Sequence, residues 1–212
     1  MKEQELFDKT EKYFGQTVKE FGVNYAGVRW NGEEAQKVRY DQLIKLVETK
    51  KSNFSICDYG CGYGYFLSYL KEYFLNWKGT YVGIDSSISM IEAAKSIYGE
   101  NNKYFKFLHS TEINETYDYI ISSGIFNLKM GISTSDFNLF MLNTIQKFDK
   151  NSKKGFAFNA LTSYSDPDKK SEDLYYSDPL FLFDYCKQNF SNNVALLHDY
   201  KLYDFTIIVR KS

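Results

Sequence analysis

Three features with fixed spacing carry the chemical prospects of this chain. They are Asp58, the glycines of Cys57-Asp58-Tyr59-Gly60-Cys61-Gly62-Tyr63-Gly64, and Asp85 in Tyr81-Val82-Gly83-Ile84-Asp85-Ser86-Ser87. Glycines let a backbone turn sharply and approach a ligand, and a helix starting directly after them offers unpaired N–H groups. The spacing is G-x-G-x-G. A dinucleotide loop would place its third glycine where Tyr65 stands, and no Gly-Lys-Ser/Thr follows to cradle a nucleotide phosphate. Asp58, two residues ahead of the first glycine, would repel a pyrophosphate and attract a cation such as an α-amino group. Asp85 closes the next apolar run, 21 residues beyond Gly64, where a carboxylate can accept hydrogen bonds from ribose hydroxyls. Together these residues ask for a ligand with a ribose and a positive charge but no pyrophosphate. The alternative is a glycine turn that binds nothing.

Such a constellation needs strands that deliver it and helices that cover it. Short apolar runs occur at Phe54–Cys57, Tyr81–Ile84, Tyr104–Leu108, Tyr119–Ile121 and Phe156–Ala160, with helical patterns between them at Tyr65–Phe74, Met90–Tyr98 and Phe137–Phe148. This alternation, with strands too apolar to expose a face, predicts a parallel sheet covered on both sides. About ten residues separate the third and fourth strands, so that crossover requires a very short helix or an irregular loop. Ser135 can cap the helix over 137–148, and Asp178-Pro179 starts another that runs to about Asn189. Val194–Leu197 and Phe205–Val209 are separated by only a short polar segment, which permits a hairpin and forces one strand to run backwards. The expected fold is α/β and Rossmann-like: a seven-stranded, mostly parallel sheet with a reversed C-terminal strand and helices on both faces. Ahead of it, residues 1–21 read as a polar helix, residues 22–32 as a glycine-punctuated loop, and Asn31 as the cap of a helix from Glu33 to about Thr49. Val38, Leu43, Ile44, Leu46 and Val47 would form that helix's buried face.

Composition narrows the class. The 212 residues fit one domain, 43% apolar and 25% charged, as in a globular protein. Twenty-six basic against 27 acidic residues give a net charge of −1, without the positive field of a nucleic-acid or anionic-membrane binder. No stretch approaches a membrane span, and the opening residues lack a signal peptide's apolar core, so the expected location is cytoplasmic. Three cysteines and two histidines argue against a disulfide scaffold and a histidine-rich metal site. Cys57 and Cys61 have no second ligand pair for zinc, and no metal is expected. The 19 tyrosines and 18 phenylalanines are read mostly as core.

The run DYGCGYG, followed by YVGIDSS, resembles the cofactor site of class I S-adenosylmethionine-dependent methyltransferases, and the similarity spans roughly residues 30–210, terminal hairpin included. The resemblance implies S-adenosylmethionine as cofactor. Gly60, Cys61, Gly62 and Gly64 would lie near its methionine part, and Asp58 would orient the loop and the amino group. Asp85 would hold the ribose, with Ser86 and Met90 along ribose and adenine. Ser110 or Thr111 stands where the superfamily often has an acid near the adenine amino group, and Ser123 would lie close to the methyl. The stretches YDYIISSGIFNLK, FNALTSYSD, LYYSDPLFLFDYCK and LLHDYKLYDFTIIV are similar to a family of small bacterial methyltransferases. Some of its members are encoded among genes for surface polysaccharides, including capsule modification with O-methyl phosphoramidate. The matching upstream stretch VRWNGEEAQKVRY implies a lid in which Trp30, Gln36 and Arg39 fold over the cofactor, although Trp30 reads equally well as a core residue. Residues 1–32 would then be an N-terminal helix and lid, and residues 33–212 the cofactor-binding domain.

Acceptor residues belong at the C-terminal ends of the strands. Ser123-Gly124-Ile125-Phe126-Asn127 ends strand four, and the polar loop 165–178 follows strand five, so Asn127, Tyr164 and Tyr176 are the candidate substrate contacts. His198 is the candidate general base because its unperturbed pKa lies near neutrality; the competing reading is a turn histidine capped by Asp199. The Asn-Pro-Pro-Tyr signature and the Pro-Cys pair of nucleic-acid methyltransferases are absent. The expected activity is methyl transfer to an oxygen of a small polar acceptor, such as a sugar nucleotide, another capsule or glycan precursor, or its phosphoramidate or phosphate group. An N- or C-methyltransferase of another metabolite or macromolecule, and a non-catalytic nucleotide-binding domain, remain open.

Overall fold

The computed structural model describes residues 2–24, 27, 32–48 and 52–211. Helix α1 spans Lys2–Phe21 and α2 spans Glu33–Leu43; then come β1 (Ser55–Tyr59), α3 (Tyr65–Tyr73), β2 (Thr80–Asp85), α4 (Ile88–Tyr98) and β3 (Phe105–His109). Next are β4 (Tyr117–Ser122), α5 (Thr134–Asn151), β5 (Ser152–Leu161), α6 (Pro179–Asn189), β6 (Asn193–Leu197) and β7 (Asp204–Arg210). The seven strands form one sheet in the order β3-β2-β1-β4-β5-β7-β6. All neighbouring pairs are parallel except those of β7, which runs antiparallel to β5 and β6. The chain winds outward from β1 to β3, then returns to build the other half from β4. The β1/β4 boundary is therefore the switch point at which open α/β sheets bind ligands.

Both faces of the central strands are buried, as the apolar runs predict; β3 departs from this, with Phe107 buried but Tyr104 and Leu108 exposed, because it lies at the edge of the sheet. On one face α5 packs Phe137, Met141, Ile145 and Phe148 and α6 packs Leu182 against strand residues such as Ile120, Phe156, Phe158 and Ile207. On the other, α3 supplies Phe66, Leu67 and Leu70 and α4 Ile91 against Ile56, Tyr81, Tyr119 and Ile208. Along β7 the alternation is direct, with Phe205, Ile207 and Val209 facing one cluster and Ile208 the other. Of the twelve largest fully buried side chains all but Leu43 are aromatic, so the Tyr/Phe richness is core. At about 25 cal/mol per Å² of apolar surface, such rings are the main stabilising contribution of the sequence.

Several local expectations need correction. Helix α2 stops at Leu43 and tightens into a 3-10 turn, Ile44–Leu46, before Val47 turns extended. Leu43, Ile44, Leu46 and Val47 are buried around the exposed Lys45, and the buried α2 neighbours of this run are Gln36, Arg39 and Tyr40 rather than the half-buried Val38. The N-cap position of α2 is Gly32, with no side-chain cap bond; Asn31 lies outside the described residues. Ser133, not Ser135, caps α5 by accepting from Asp136 N. Asp178 caps α6 with Pro179 at its first position, as expected. The β3–β4 crossover is an irregular loop, residues 110–116, anchored by buried Ile113 and by the Tyr59 hydroxyl donating to Thr111 O at 2.9 Å.

Candidate functional site

At the tip of β1 the backbone folds back on β2. Gly60 N and Cys61 N both donate to Ile84 O, at 2.7 and 3.1 Å. Gly60 has φ +78°, and a Cβ there would stand 2.1 Å from Ile125 Cγ2, so only glycine fits. Gly64, at φ +80°, is the residue from which α3 starts, and its absent Cβ makes room for the Phe107 ring. Asp85 locks the loop: Oδ2 accepts from Gly62 N and Oδ1 from Ser87 N, both at 2.8 Å. A carboxylate has about four acceptor sites, so lone pairs remain for a ligand.

A cleft of about 470 Å³ opens over this loop, within the size range of small-molecule sites. Its lining includes Gln36, Arg39, Asp58, Gly60, Cys61, Gly62, Asp85, Ser86, Met90, Ser110, Ser123 and Asn127. The structure thus brings together twelve of the candidates named from sequence. Asp58 is buried and accepts from the Tyr81 hydroxyl at 2.8 Å. Burial pushes its carboxyl up to about 7; the nearby Asp85 charge adds to the rise, while the Tyr81 bond opposes it. Burial raises Asp85 as well, against the pull of its two backbone bonds. Burial holds the Cys61 thiol well above its ordinary value, so it is a packing residue rather than a nucleophile. Both ends of the Gln36 amide are engaged: Nε2 donates to the Tyr40 hydroxyl at 3.0 Å, and Oε1 accepts from Tyr63 at 3.3 Å. Gln36 therefore ties α2 to the glycine loop.

Other candidates fall elsewhere. Gly64 and Thr111 do not line the cleft; Gly64 serves the start of α3, and Thr111 holds Tyr59 through its carbonyl. Trp30 lies outside the described residues. His198 is exposed and packs against Tyr164 and Phe205, with ring centroids 6.0 and 6.1 Å away, and neither His198 nor Tyr164 lines the cleft. The physical reason is topological: His198 follows β6, the outermost strand, which β7 separates from β5. Tyr176 also lies outside the lining; its hydroxyl accepts from Ser171 N and donates to Lys169 O, pinning its own loop.

Sequence reading missed the opposite wall. Leu6, Phe7, Thr10, Tyr13 and Phe14 of α1 line the cleft, as do Ser171, Asp173 and Leu174 of the loop after β5. The α1 signal was present as an apolar stripe, but nothing local aims a helix at a distant strand end. Among the described residues, the charged groups lining the cleft are Asp58, Asp85, Asp173 and Arg39. Arg39 is ion-paired to Asp204 at 2.6 Å, so the balance is negative and favours a cation. A ligand combining an ammonium or sulfonium with a ribose fits this donor set. No cluster of metal-ligating side chains occurs among the described residues, nor does any helix long and apolar enough to cross a membrane.

The comparisons agree with this geometry. A family profile described as "Methyltransferase domain" matches residues 50–169, from just ahead of β1 into the loop after β5. The chain is 45% identical over 159 residues to the Mycobacterium tuberculosis protein named "Putative methyltransferase Rv1506c", covering 75% of this chain and 94% of that one. In fold it is similar to DhpI in its complex with SAM and HEP, with TM-score 0.63, 11% identity and 98% of both chains covered. It is likewise similar to the mycolic acid cyclopropane synthase CmaA1 complexed with SAH and CTAB, with TM-score 0.61, 13% identity, and 91% and 76% covered. The glycine turn between two acids at the switch point of the sheet lies within the stretch that the family profile matches: the chain belongs to the methyltransferase domain family and is an S-adenosylmethionine-dependent methyltransferase.

Proposed function

We propose that this cleft holds S-adenosylmethionine and that the methyl passes to a hydroxyl oxygen of a small polar acceptor entering between α1 and the 165–178 loop. Asp58, the backbone of Gly60 to Gly62, Asp85, Ser86, Met90 and Ser110 would hold the cofactor, which when bound supplies an electrophilic methyl on a sulfonium. Helix α1 is read as the cover of the site, with Leu6, Phe7 and Phe14 excluding water from it. Orientation of the two reactants in such a shielded space contributes several kcal/mol to the rate.

The observation that carries the acceptor reading is the polar equipment at the end of β4. Asn127 is 8% exposed and lines the cleft. Its Oδ1 accepts from Leu161 N at 3.1 Å, which leaves the Nδ2 donor for a ligand. Ser123 Oγ is buried there with no hydrogen-bond partner among the described residues. An unmet donor and an unmet hydroxyl at one strand end suit an oxygen that both accepts and donates. Asp173 lines the same end and is the proposed base. An alcohol proton becomes acidic as the new C–O bond forms, so a carboxylate suffices to take it. A phosphate or phosphoramidate oxygen suits this wall less well, because acids line it and Arg39 is already paired. The capsule or glycan setting rests on the resemblance of the quoted sequence stretches, and the acidic cleft also supports a small molecule over nucleic acid.

Methyl-labelled S-adenosylmethionine, offered with neutral sugars alongside their phosphates, nucleotide conjugates and phosphoramidates, tests the reading. Label on a sugar hydroxyl is the expected result; label on a phosphate or phosphoramidate oxygen overturns it. With the acceptor that turns over, Asp173→Asn should lower kcat by about 10²-fold and leave S-adenosylhomocysteine affinity unchanged. An unchanged kcat removes Asp173 as base.

A further inference from the structure

Arg39 is the one cation among the described residues lining the cleft, which is read as taking a positively charged cofactor. A guanidinium cannot shed its proton, so only a counterion can silence it. Asp204, at the start of β7 and 1% exposed, supplies one: its Oδ2 accepts from Arg39 Nη2 at 2.6 Å. The other oxygen, Oδ1, accepts from Asn159 Nδ2 at 2.8 Å, and Asn159 Oδ1 accepts from Gly124 N at 3.0 Å. One carboxylate outside the lining therefore connects α2 to the turn after β4 that carries Ser123.

We infer that Asp204 is a specificity-determining counterion: by neutralising Arg39 it lets the cleft prefer the sulfonium cofactor over its spent thioether form, and through Asn159 it positions the acceptor-side turn. The inference rests on the reading that this cleft takes S-adenosylmethionine. Without the Asp204 charge, Arg39 would repel the sulfonium, while the thioether of S-adenosylhomocysteine, otherwise of nearly the same shape, would be spared. That difference separates a charge effect from loss of structural support, which would weaken both ligands alike.

The experiment is calorimetric titration of the full chain with S-adenosylmethionine and with S-adenosylhomocysteine. Asp204→Asn should raise the Kd for S-adenosylmethionine about tenfold more than that for S-adenosylhomocysteine. Equal weakening of the two, or an unchanged ratio, overturns the inference. The uncharged pair Arg39→Met/Asp204→Leu should keep the wild-type ratio, since both charges leave together. It provides the test if Asp204→Asn does not fold, and a ratio shifted in this pair counts against cancellation. Failure of the wild-type chain to bind either ligand would sink the cofactor reading itself, a different outcome from equal weakening in the variant.

Discussion

At the glycine-loop end of the cleft, positioning is done by backbone donors that converge on one carbonyl and one carboxylate. Gly60 N and Cys61 N converge on Ile84 O, and Gly62 N and Ser87 N converge on Asp85. At the acceptor end, three separate side chains do the same work. Asn159 holds Gly124 N, Asn127 holds Leu161 N, and the Tyr176 hydroxyl holds Ser171 N. A backbone–backbone bond survives most substitutions, whereas geometry held by a side chain changes with a single one, and at the glycine-loop end only Asp85 is such a point. The first end is thus suited to a ligand that stays the same, the second to an acceptor that can differ between relatives on one sheet. Strands β1 and β2 serve the first end, and the loops after β4 and β5, with α1, serve the second.

If that contrast holds, damage at Asp85 should be the most severe. Asp85→Ala removes the proposed ribose acceptor and strands two backbone donors of the loop. Charge-assisted bonds are worth about 1.5–3 kcal/mol each, so S-adenosylhomocysteine affinity should drop by about 10²-fold or more in a calorimetric titration. A loss under threefold would show that the loop holds without its carboxylate lock, and the two ends would no longer differ.

The next effect is a pH dependence centred on Asp58. Its folded pKa of about 7 lies above the usual carboxylate range, so the folded state binds the proton more tightly than the unfolded one. That contribution to the stability of the ligand-free protein is fully present below pH 4 and is lost as pH rises through 7. Asp58→Asn should accordingly raise the melting temperature by a few degrees at pH 8 and by little at pH 4. A cationic ligand requires the ionised form. Affinity for S-adenosylmethionine should then fall by about tenfold for each pH unit below 7, with proton release measurable in buffers of differing ionisation enthalpy. A flat profile between pH 5 and 8 would mean that Asp58 does not meet the cation.

The same contrast explains what the sequence could reveal. The βα alternation, the reversed final hairpin, the Asp178-Pro179 cap and the Asp58–glycine–Asp85 constellation depend on residues near one another in the chain, where periodicity and spacing carry information. Arg39 and Asp204 are 165 residues apart. Asp204 reads locally as a polar residue ahead of a strand, and nothing in a window around it reports a buried guanidinium. Asp173 sits in a loop rich in acids and lysines, where no pattern marks the one acid that lines the cleft. Placement of α1 beside Phe140, with Phe7 and Phe140 ring centroids 5.9 Å apart, likewise follows from packing and not from its own stripe. The 3-10 ending of α2 was hidden for a different reason, because Leu43, Ile44, Leu46 and Val47 fit a helical stripe as well as they fit a tighter turn.

His198 supplies the smallest effect and the sharpest boundary on the acceptor end. Sequence favoured it because it follows a strand and carries an imidazole, yet the sheet order puts β6 at the edge, and the ring rests between Tyr164 and Phe205. An exposed edge-to-face contact of this kind is worth about 1 kcal/mol at most. His198→Ala should therefore lower the urea midpoint slightly and leave kcat, KM for the acceptor and S-adenosylhomocysteine affinity within twofold of wild type, across pH 6 to 8. A tenfold loss of kcat with intact cofactor affinity would extend the acceptor end across β7 to the sheet edge. It would also move the proposed base from Asp173, so the Asp173→Asn and His198→Ala variants, measured with one acceptor, decide between the loop after β5 and the end of β6.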